Sequence, residues 1–260
     1  MGKFSGILLC SDFDGTLAVG GRVVERNIEA IRYFQENGGL FSIITGRTPE
    51  FIVGCENEVR CNTFVGCLNG TIIYDYLGDR IVCSDFVKGD LFTPLMKIHS
   101  ELDIFKNIVI FHGDGDALIE GDAENFAERL RVELDEPVLK VIIRAARPYT
   151  EEELDRVSVI LGDEFEQARS WSIGLEIQNR GNNKGKAARK IAELAGAKTL
   201  VCVGDYENDI SLLEAADISF AVDNAIPSLK AIAHRQTVAA EDGAIARIID
   251  DLLFLLEKKK

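Results

Sequence analysis

The sequence predicts an α/β protein: a parallel-sheet core built from the two ends of the chain, with a second, α+β domain inserted between them. Three observations predict it. Apolar runs at residues 7–10, 40–44 and 199–203 lack polar alternation, the mark of strands buried on both faces. Each run ends in a polar loop, and segments with helical apolar spacing separate the runs, which is the βαβ order of a right-handed parallel sheet. Over residues 85–178 the apolar runs become shorter and more alternating, as in an antiparallel sheet covered by helices on one face. The expected division is 1–84 for the first core segment, 85–178 for the inserted domain and 179–260 for the second core segment.

The elements follow in order. Residues 26–37 place Ile28, Ile31 and Phe34 on one helical face and meet a Gly38-Gly39 stop. A second buried strand over 40–44 ends in Thr45-Gly46-Arg47. Residues 64–68 lead into Asn69-Gly70, and 71–76 with 80–84 flank Leu77-Gly78-Asp79 as a hairpin. In the middle, helices near 92–102, 123–134 and 151–161 are interleaved with strands at 108–111, 117–119, 138–143 and 173–177. Asn182-Asn183-Lys184-Gly185 then opens a helix with Ala187, Ala188, Ile191 and Leu194 on its apolar face and Gly196 at its end. Residues 199–203 run into Gly204-Asp205-Tyr206-Glu207-Asn208-Asp209, where Asn208 or Asp209 can cap a helix over 210–216. A strand at 218–222 precedes Asp223-Asn224-Ala225, and a helix over 245–256 leads to a basic tail.

Composition bounds the function. With 260 residues, 47% of them hydrophobic, the chain can bury one large core plus a smaller one. A net charge of -14 argues against nucleic acid or an anionic membrane as partner, and an anionic substrate must then be drawn in by a locally positive site or a metal. No apolar run spans a bilayer, residues 1–6 miss the myristoylation pattern, and no secretory leader is evident, so a cytoplasmic protein is expected. The six cysteines form no C-x-x-C pair and the three histidines lie apart from them, which leaves a zinc site without support and suggests buried thiols in a reducing compartment.

The chemistry concentrates at strand ends. Asp12 and Asp14 leave the first strand one residue apart, followed by Gly15-Thr16. Two ionised carboxylates so close repel unless a cation or a shared proton offsets them. Thr45 adds a hydroxyl, Lys184 an ammonium, and Asp205 and Asp209 two more acids. In a parallel sheet these loops share one edge, where ligands bind. Carboxylates there suit Mg²⁺, which takes few of them together with waters and a phosphate oxygen. A neutral donor and a positive charge beside it are what a phosphoryl group requires as its charge shifts during transfer.

These four motifs, Asp12-Phe13-Asp14-Gly15-Thr16, Thr45-Gly46-Arg47, Lys184-Gly185 and Gly204-Asp205 with Asn208-Asp209, resemble those of the haloacid dehalogenase superfamily of phosphatases. Only 30 residues separate Asp14 from Thr45, whereas about 140 separate Thr45 from Lys184, and that placement resembles the Cof-type and sugar-phosphatase branch, whose cap lies between the second and third motifs. Asn69-Gly70, Asn224-Ala225 and Glu241-Asp242-Gly243 are similar to further positions of that branch. The resemblance implies a Rossmann-like core with an inserted α+β cap, and a Mg²⁺-dependent phosphomonoester hydrolase. Asp12 would be the nucleophile that forms an aspartyl-phosphate, and Asp14 the acid and then base. Asp12, the Asp14 backbone carbonyl and Asp205 would hold Mg²⁺, with Asp209 also in the metal site, and Asn208 and Asp209 would orient the metal's waters and Lys184. Thr45 and Lys184 would bind the phosphoryl oxygens, and Gly46, Arg47, Asn69, Gly70 and Asn224 would complete the substrate site. Tyr206 and Asp223 depart from the family pattern, where a small residue and glycine are usual.

The implied partner is a small phosphorylated metabolite, with sugar phosphates the leading class. Two other readings fit the same residues: phosphomannomutase-like transfer between sugar positions, and a phosphometabolite sensor without turnover. Arg144, Arg147, His112 and Trp171 in the inserted domain are candidate contacts to the leaving group. The oligomeric state has no signature in the sequence.

Overall fold

Ile7–Ser11 forms the strand its apolar run predicts, and all five residues are buried. The computed structural model describes residues 2–55 and 59–257, so the basic tail lies outside the described residues. The chain divides into two units, Met1–Cys83 with Asn183–Lys260, and Ser84–Asn182.

In the first unit Ile7–Ser11 lies inside a five-stranded sheet ordered Arg235–Gln236, Ile218–Ala221, Thr199–Gly204, Ile7–Ser11, Leu40–Ile43. All four pairings are parallel. The register puts Ser11 beside both Val203 and Ile43, so the loops that follow these strands leave the sheet at one edge. Helix Glu25–Glu36 buries Ile31 and Phe34 and packs on Ala244–Glu257; helix Lys184–Ala195 packs on Ile210–Ala215. Asn183 caps the Lys184 helix by accepting from the Lys186 amide, and Gly196 ends it in the left-handed conformation. A second sheet, Phe64–Cys67, Ile72–Asp75 and Arg80–Ser84, joins the edge of the first through a bridge between Ile44 and Gly66. Two short helices, Pro49–Gly54 and Pro227–Ile232, go beyond the sequence reading; each starts on a proline, which favours a helix's first turn but is too brief to leave a periodic signal.

The second unit is an antiparallel sheet ordered Phe165–Trp171, Gly174–Asn179, Lys140–Ala145, Phe105–Phe111, Asp116–Glu120. Helices Phe92–Glu101, Phe126–Asp135 and Glu151–Leu161 supply Leu95, Ile98, Leu130 and Val157 to a core with Ile108, Ile110, Val141, Ile143, Leu175 and Ile177 of the sheet. The period of two in those strand positions puts Asn107, Val109, Ile142, Glu176 and Gln178 on the other face. Strand Phe165–Trp171 was not legible in the sequence, because an edge strand reading Phe-Glu-Gln-Ala-Arg-Ser-Trp offers no apolar alternation. Among the described residues no helix is long and apolar enough to cross a membrane.

Candidate active site

The first strand delivers Asp12 at the sheet edge, its amide still bonded to the Val203 carbonyl at 3.1 Å. Asp12 is buried, and its Oδ1 accepts from Lys184 Nζ at 2.6 Å. Lys184 sits in the first turn of its helix with a fully buried side chain, and the same Nζ donates to Asp209 Oδ1, also at 2.6 Å. Asp205 completes the group: carboxylate oxygens of Asp12, Asp205 and Asp209 lie within 4.8 Å of one another.

Asp209 has a second task. Its Oδ2 accepts the amides of Asp205 and Tyr206 at 2.9 and 3.2 Å, so the carboxylate folds the loop that carries Asp205 while holding Lys184 in place. With three donors on Asp209, a cation is better served by Asp12 and Asp205. Thr16 contributes as well, donating its hydroxyl to Asp205 Oδ1 at 3.0 Å. Gly15, at φ +80°, lets this turn approach: a Cβ there would stand 2.5 Å from Asp205 Oδ2.

The electrostatics are those of too much negative charge for one lysine. Burial raises the Asp12 carboxyl well above the ordinary carboxylate range, Lys184 pulls it back, and Asp209 and Asp205 push it up again. Asp205 is raised to about 6, chiefly by burial and then by Asp209. Burial works against the Lys184 ammonium, but Asp12 and Asp209 outweigh it and hold its pKa above the ordinary lysine value. A hard divalent cation fits this donor set, because it would offset the burial and like-charge repulsion that raise Asp12 and Asp205.

The remaining predicted residues surround this cluster in different ways. Thr45 is buried; its amide donates to the Gly66 carbonyl at 2.8 Å and its hydroxyl accepts the Arg47 amide at 3.2 Å, the bond that shapes the Thr45-Gly46-Arg47 turn. Asp14 and Arg47 lie half-exposed and form a bidentate ion pair, Nε to Oδ2 at 2.9 Å and Nη2 to Oδ1 at 3.0 Å. Asn69 is buried, at φ +56°, and its Oδ1 accepts from Asn208 Nδ2 at 3.3 Å. Gly70, at φ +95°, allows the turn to press on the Lys184 helix, where a Cβ would be 2.7 Å from the Asn183 carbonyl. Asn224, expected in the substrate site, spans two backbone groups with its carboxamide, donating to the Gly15 carbonyl at 2.8 Å and accepting the Ala240 amide at 2.9 Å. It braces the Asp14-Gly15 turn.

Two contributors carried no assigned role in the sequence. Thr16 belongs to the Asp-x-Asp-Gly-Thr motif, and a hydroxyl at a fixed place after two acids was the available signal. Phe51 lies under the Arg47 guanidinium, 4.6 Å from ring centroid to Cζ, on a helix too short to be read. Burial pushes the Cys61 and Cys202 thiols up, which disfavours their reactive thiolate form. In the second unit, Arg147 pairs with Glu153 at 2.8 and 3.0 Å, the His112 ring lies 3.3 Å from both the Pro137 carbonyl and Glu133, and Trp171 packs over Gly174.

Known proteins resemble this chain along most of its length. A sequence profile described as haloacid dehalogenase-like hydrolase matches residues 9–249. The 5-amino-6-(5-phospho-D-ribitylamino)uracil phosphatase YitU of Bacillus subtilis (strain 168) is 27% identical over 265 residues, covering 95% of this chain and 98% of the relative. The pyridoxal phosphate phosphatase YbhA of Escherichia coli (strain K12) is 27% identical over 254 residues, covering 87% of this chain and 91% of the relative. Among solved structures, the subclass IIB sugar phosphatase BT4131 superposes with a TM-score of 0.79 at 19% identity, covering 96% of this chain and 99% of that one, which speaks for the fold.

Proposed function

The chain belongs to the haloacid dehalogenase-like hydrolase family and is a phosphatase, and from that premise we propose that it hydrolyses phosphomonoesters of small polar metabolites, sugar phosphates foremost, with Mg²⁺ and an aspartyl-phosphate on Asp12. The observation that carries this reading is the buried Lys184 ammonium 2.6 Å from both Asp12 and Asp209, with Asp205 beside them.

The steps are those the family resemblance implies, and the grouping of Asp12, Lys184, Asp205 and Asp209 supports them. An Asp12 carboxylate oxygen attacks phosphorus while the bond from phosphorus to the leaving oxygen breaks, and Asp14 gives that oxygen its proton. Asp14 then takes a proton from water as the water oxygen attacks phosphorus and the bond to Asp12 breaks, which returns Asp12 as a carboxylate and releases phosphate. Lys184 and the Thr45 hydroxyl donate to the phosphoryl oxygens as charge shifts among them. Asp209 keeps Lys184 and the Asp205 loop in register for this. A divalent cation held by Asp12, Asp205 and the Asp14 carbonyl would neutralise part of the charge shared by carboxylates and phosphoryl group.

The names of the relatives support the substrate class: a ribitylamino-uracil phosphate in one case and pyridoxal phosphate in another. The test is release of phosphate from an aryl phosphate with Mg²⁺, followed by a panel of phosphorylated metabolites. Asp12→Asn should lower turnover by at least about 10³-fold. Equal release by wild type and Asp12→Asn overturns the nucleophile, absence of turnover by wild type favours a sensor, and a requirement for a sugar bisphosphate without free phosphate favours a mutase.

A further inference from the structure

We propose that Arg47 is a positioning residue for Asp14, fixed in its own turn by Phe51, and that it is not a ligand of the phosphoryl group. The inference rests on the acid and base role proposed for Asp14. Arg47 presents Nε and Nη2, one edge of its planar fork, to both oxygens of Asp14 at 2.9 and 3.0 Å. A two-point contact of this kind fixes the rotation of a carboxyl group, which a single charge cannot do.

The guanidinium is itself held. It lies 4.6 Å from the Phe51 ring centroid, and Phe51 meets Phe13 edge-on at 5.3 Å and 87°. Phe13 is fully buried and stands in the chain between Asp12 and Asp14. The contacts thus close a loop, from Asp14 to Arg47, to Phe51, to Phe13 and back along the backbone to Asp14. The Arg47 backbone is tied at both ends as well, its amide to Thr45 Oγ1 at 3.2 Å and its carbonyl to the Leu68 amide at 2.9 Å.

Stability gives little reason for the pair. Both side chains are about half exposed, at 50% and 49%, and an ion pair that wet contributes about 0–1 kcal/mol. Orientation gives a stronger reason. An unrestrained, half-exposed carboxyl samples several rotamers, whereas proton transfer requires it within hydrogen-bond reach of the leaving oxygen and then of water. Lys184 is buried against Asp12, and Thr45 is buried at the end of the adjacent strand, so both suit phosphoryl contact, while Arg47 spends one edge of its fork on Asp14.

The experiment is a double-mutant cycle read with two substrates, an aryl phosphate with a good leaving group and an alkyl phosphate with a poor one. Arg47→Gln should lower kcat on the alkyl ester by about 30-fold and on the aryl ester by no more than about threefold, with KM nearly unchanged. Arg47→Lys should fare no better, since an ammonium lacks the fork. Phe51→Leu should lose part of the same kcat on the alkyl ester. Arg47→Gln added to Asp14→Asn should cost almost nothing further. A rise in KM on both esters, additivity with Asp14→Asn, or full activity in Arg47→Lys overturns the positioning role while leaving Asp14 as acid. Equal losses on the aryl and alkyl esters in Asp14→Asn overturn the acid role and this inference together. Because Arg47 and Phe51 lie at the surface of a short helix and turn, thermal unfolding of each variant should track wild type, and a variant that unfolds early is replaced by Arg47→Met in the same cycle.

Discussion

Both units bury a lysine against carboxylate, and the two sites differ in how the charges balance. In the second unit Lys140 and Glu176 lie on facing strands, 0% and 2% exposed, with Nζ to Oε1 at 3.0 Å and the Ser170 hydroxyl on Oε2 at 2.6 Å. There the ammonium pairs with Glu176, and Phe111 lies against it at 5.0 Å. In the first unit Lys184 faces Asp12 and Asp209 with Asp205 in the same cluster, so the acids outnumber it. The first arrangement is self-sufficient. The second leaves acids in excess, a surplus that protons or a cation would offset and that marks it as a site.

The largest expected difference comes from removing each lysine. Lys184→Met should abolish measurable phosphate release, by about 10³-fold or more, and should destabilise the fold by about 3–5 kcal/mol at pH 7 through two uncompensated acids. Lys140→Met should destabilise by a similar amount, since Glu176 is left buried without its ammonium. The pairs then part company. Lys140→Met combined with Glu176→Leu should return stability to within about 1 kcal/mol of wild type and keep aryl phosphate turnover within about threefold, because a buried ion pair replaced by apolar residues of similar volume is often neutral. Denaturant unfolding with turnover on the same samples reads both. A well-folded Lys140→Met/Glu176→Leu protein without turnover would make the second pair functional too and erase the distinction.

How far the sequence reaches differs between the sites for the same reason. The strand-end motifs could be read because a parallel sheet turns position in the chain into position in space: Asp12, Thr45 and Asp205 follow buried strands, so they share an edge. The partner of Lys184 has a different source. The family resemblance implies that Asp209 orients Lys184, but strand order alone does not, because the packing of the Lys184 helix on the following one is what turns the Asp209 carboxylate toward Nζ. The bond between Asp14 and Arg47 depends on two loop conformations, which no periodicity encodes. Lys140 and Glu176 were invisible because strand residues facing away from the helices look like ordinary solvated charges until the strands are paired. The partner of Arg147, by contrast, sits in a readable pattern: Thr150-Glu151-Glu152-Glu153 is a capping box, and its Glu153 binds Arg147 as well.

A middle-sized effect sharpens the account of surplus charge. With the Asp205 carboxyl raised to about 6, a divalent cation competes with a proton there. Apparent Mg²⁺ affinity should rise by up to about tenfold per pH unit as pH climbs toward 6 and level off above it, with proton release on binding larger at pH 5.5 than at pH 8. Titration calorimetry in two buffers of different ionisation enthalpy measures that release. The metal-free protein has the opposite slope. Between the ordinary aspartate value and about 6 the folded state holds more protons than the unfolded one, so stability should fall as pH rises through that window, by at most about 1.4 kcal/mol per unit. A flat response in both measurements would remove Asp205 from the cation site.

The smallest effect belongs to the second unit and has the reverse sign. Arg147, the Thr150 amide and the Thr150 hydroxyl hold the Glu153 carboxyl down at about 2. Its contribution is present above the ordinary glutamate value and is lost as pH falls from there toward 2, whereas acid relieves the crowded carboxylates of the first unit. Thr150→Ala removes one half of the capping box and should cost about 1 kcal/mol in the unfolding of helix Glu151–Leu161 and its sheet. Trp171, the single tryptophan of the chain, lies in that unit, so its fluorescence follows that unfolding, while turnover follows the first unit. In Thr150→Ala the fluorescence midpoint should drop with aryl phosphate turnover unchanged below that midpoint. If turnover fell in step with fluorescence, the two units would unfold as one, and the opposed pH responses would have to merge into a single transition.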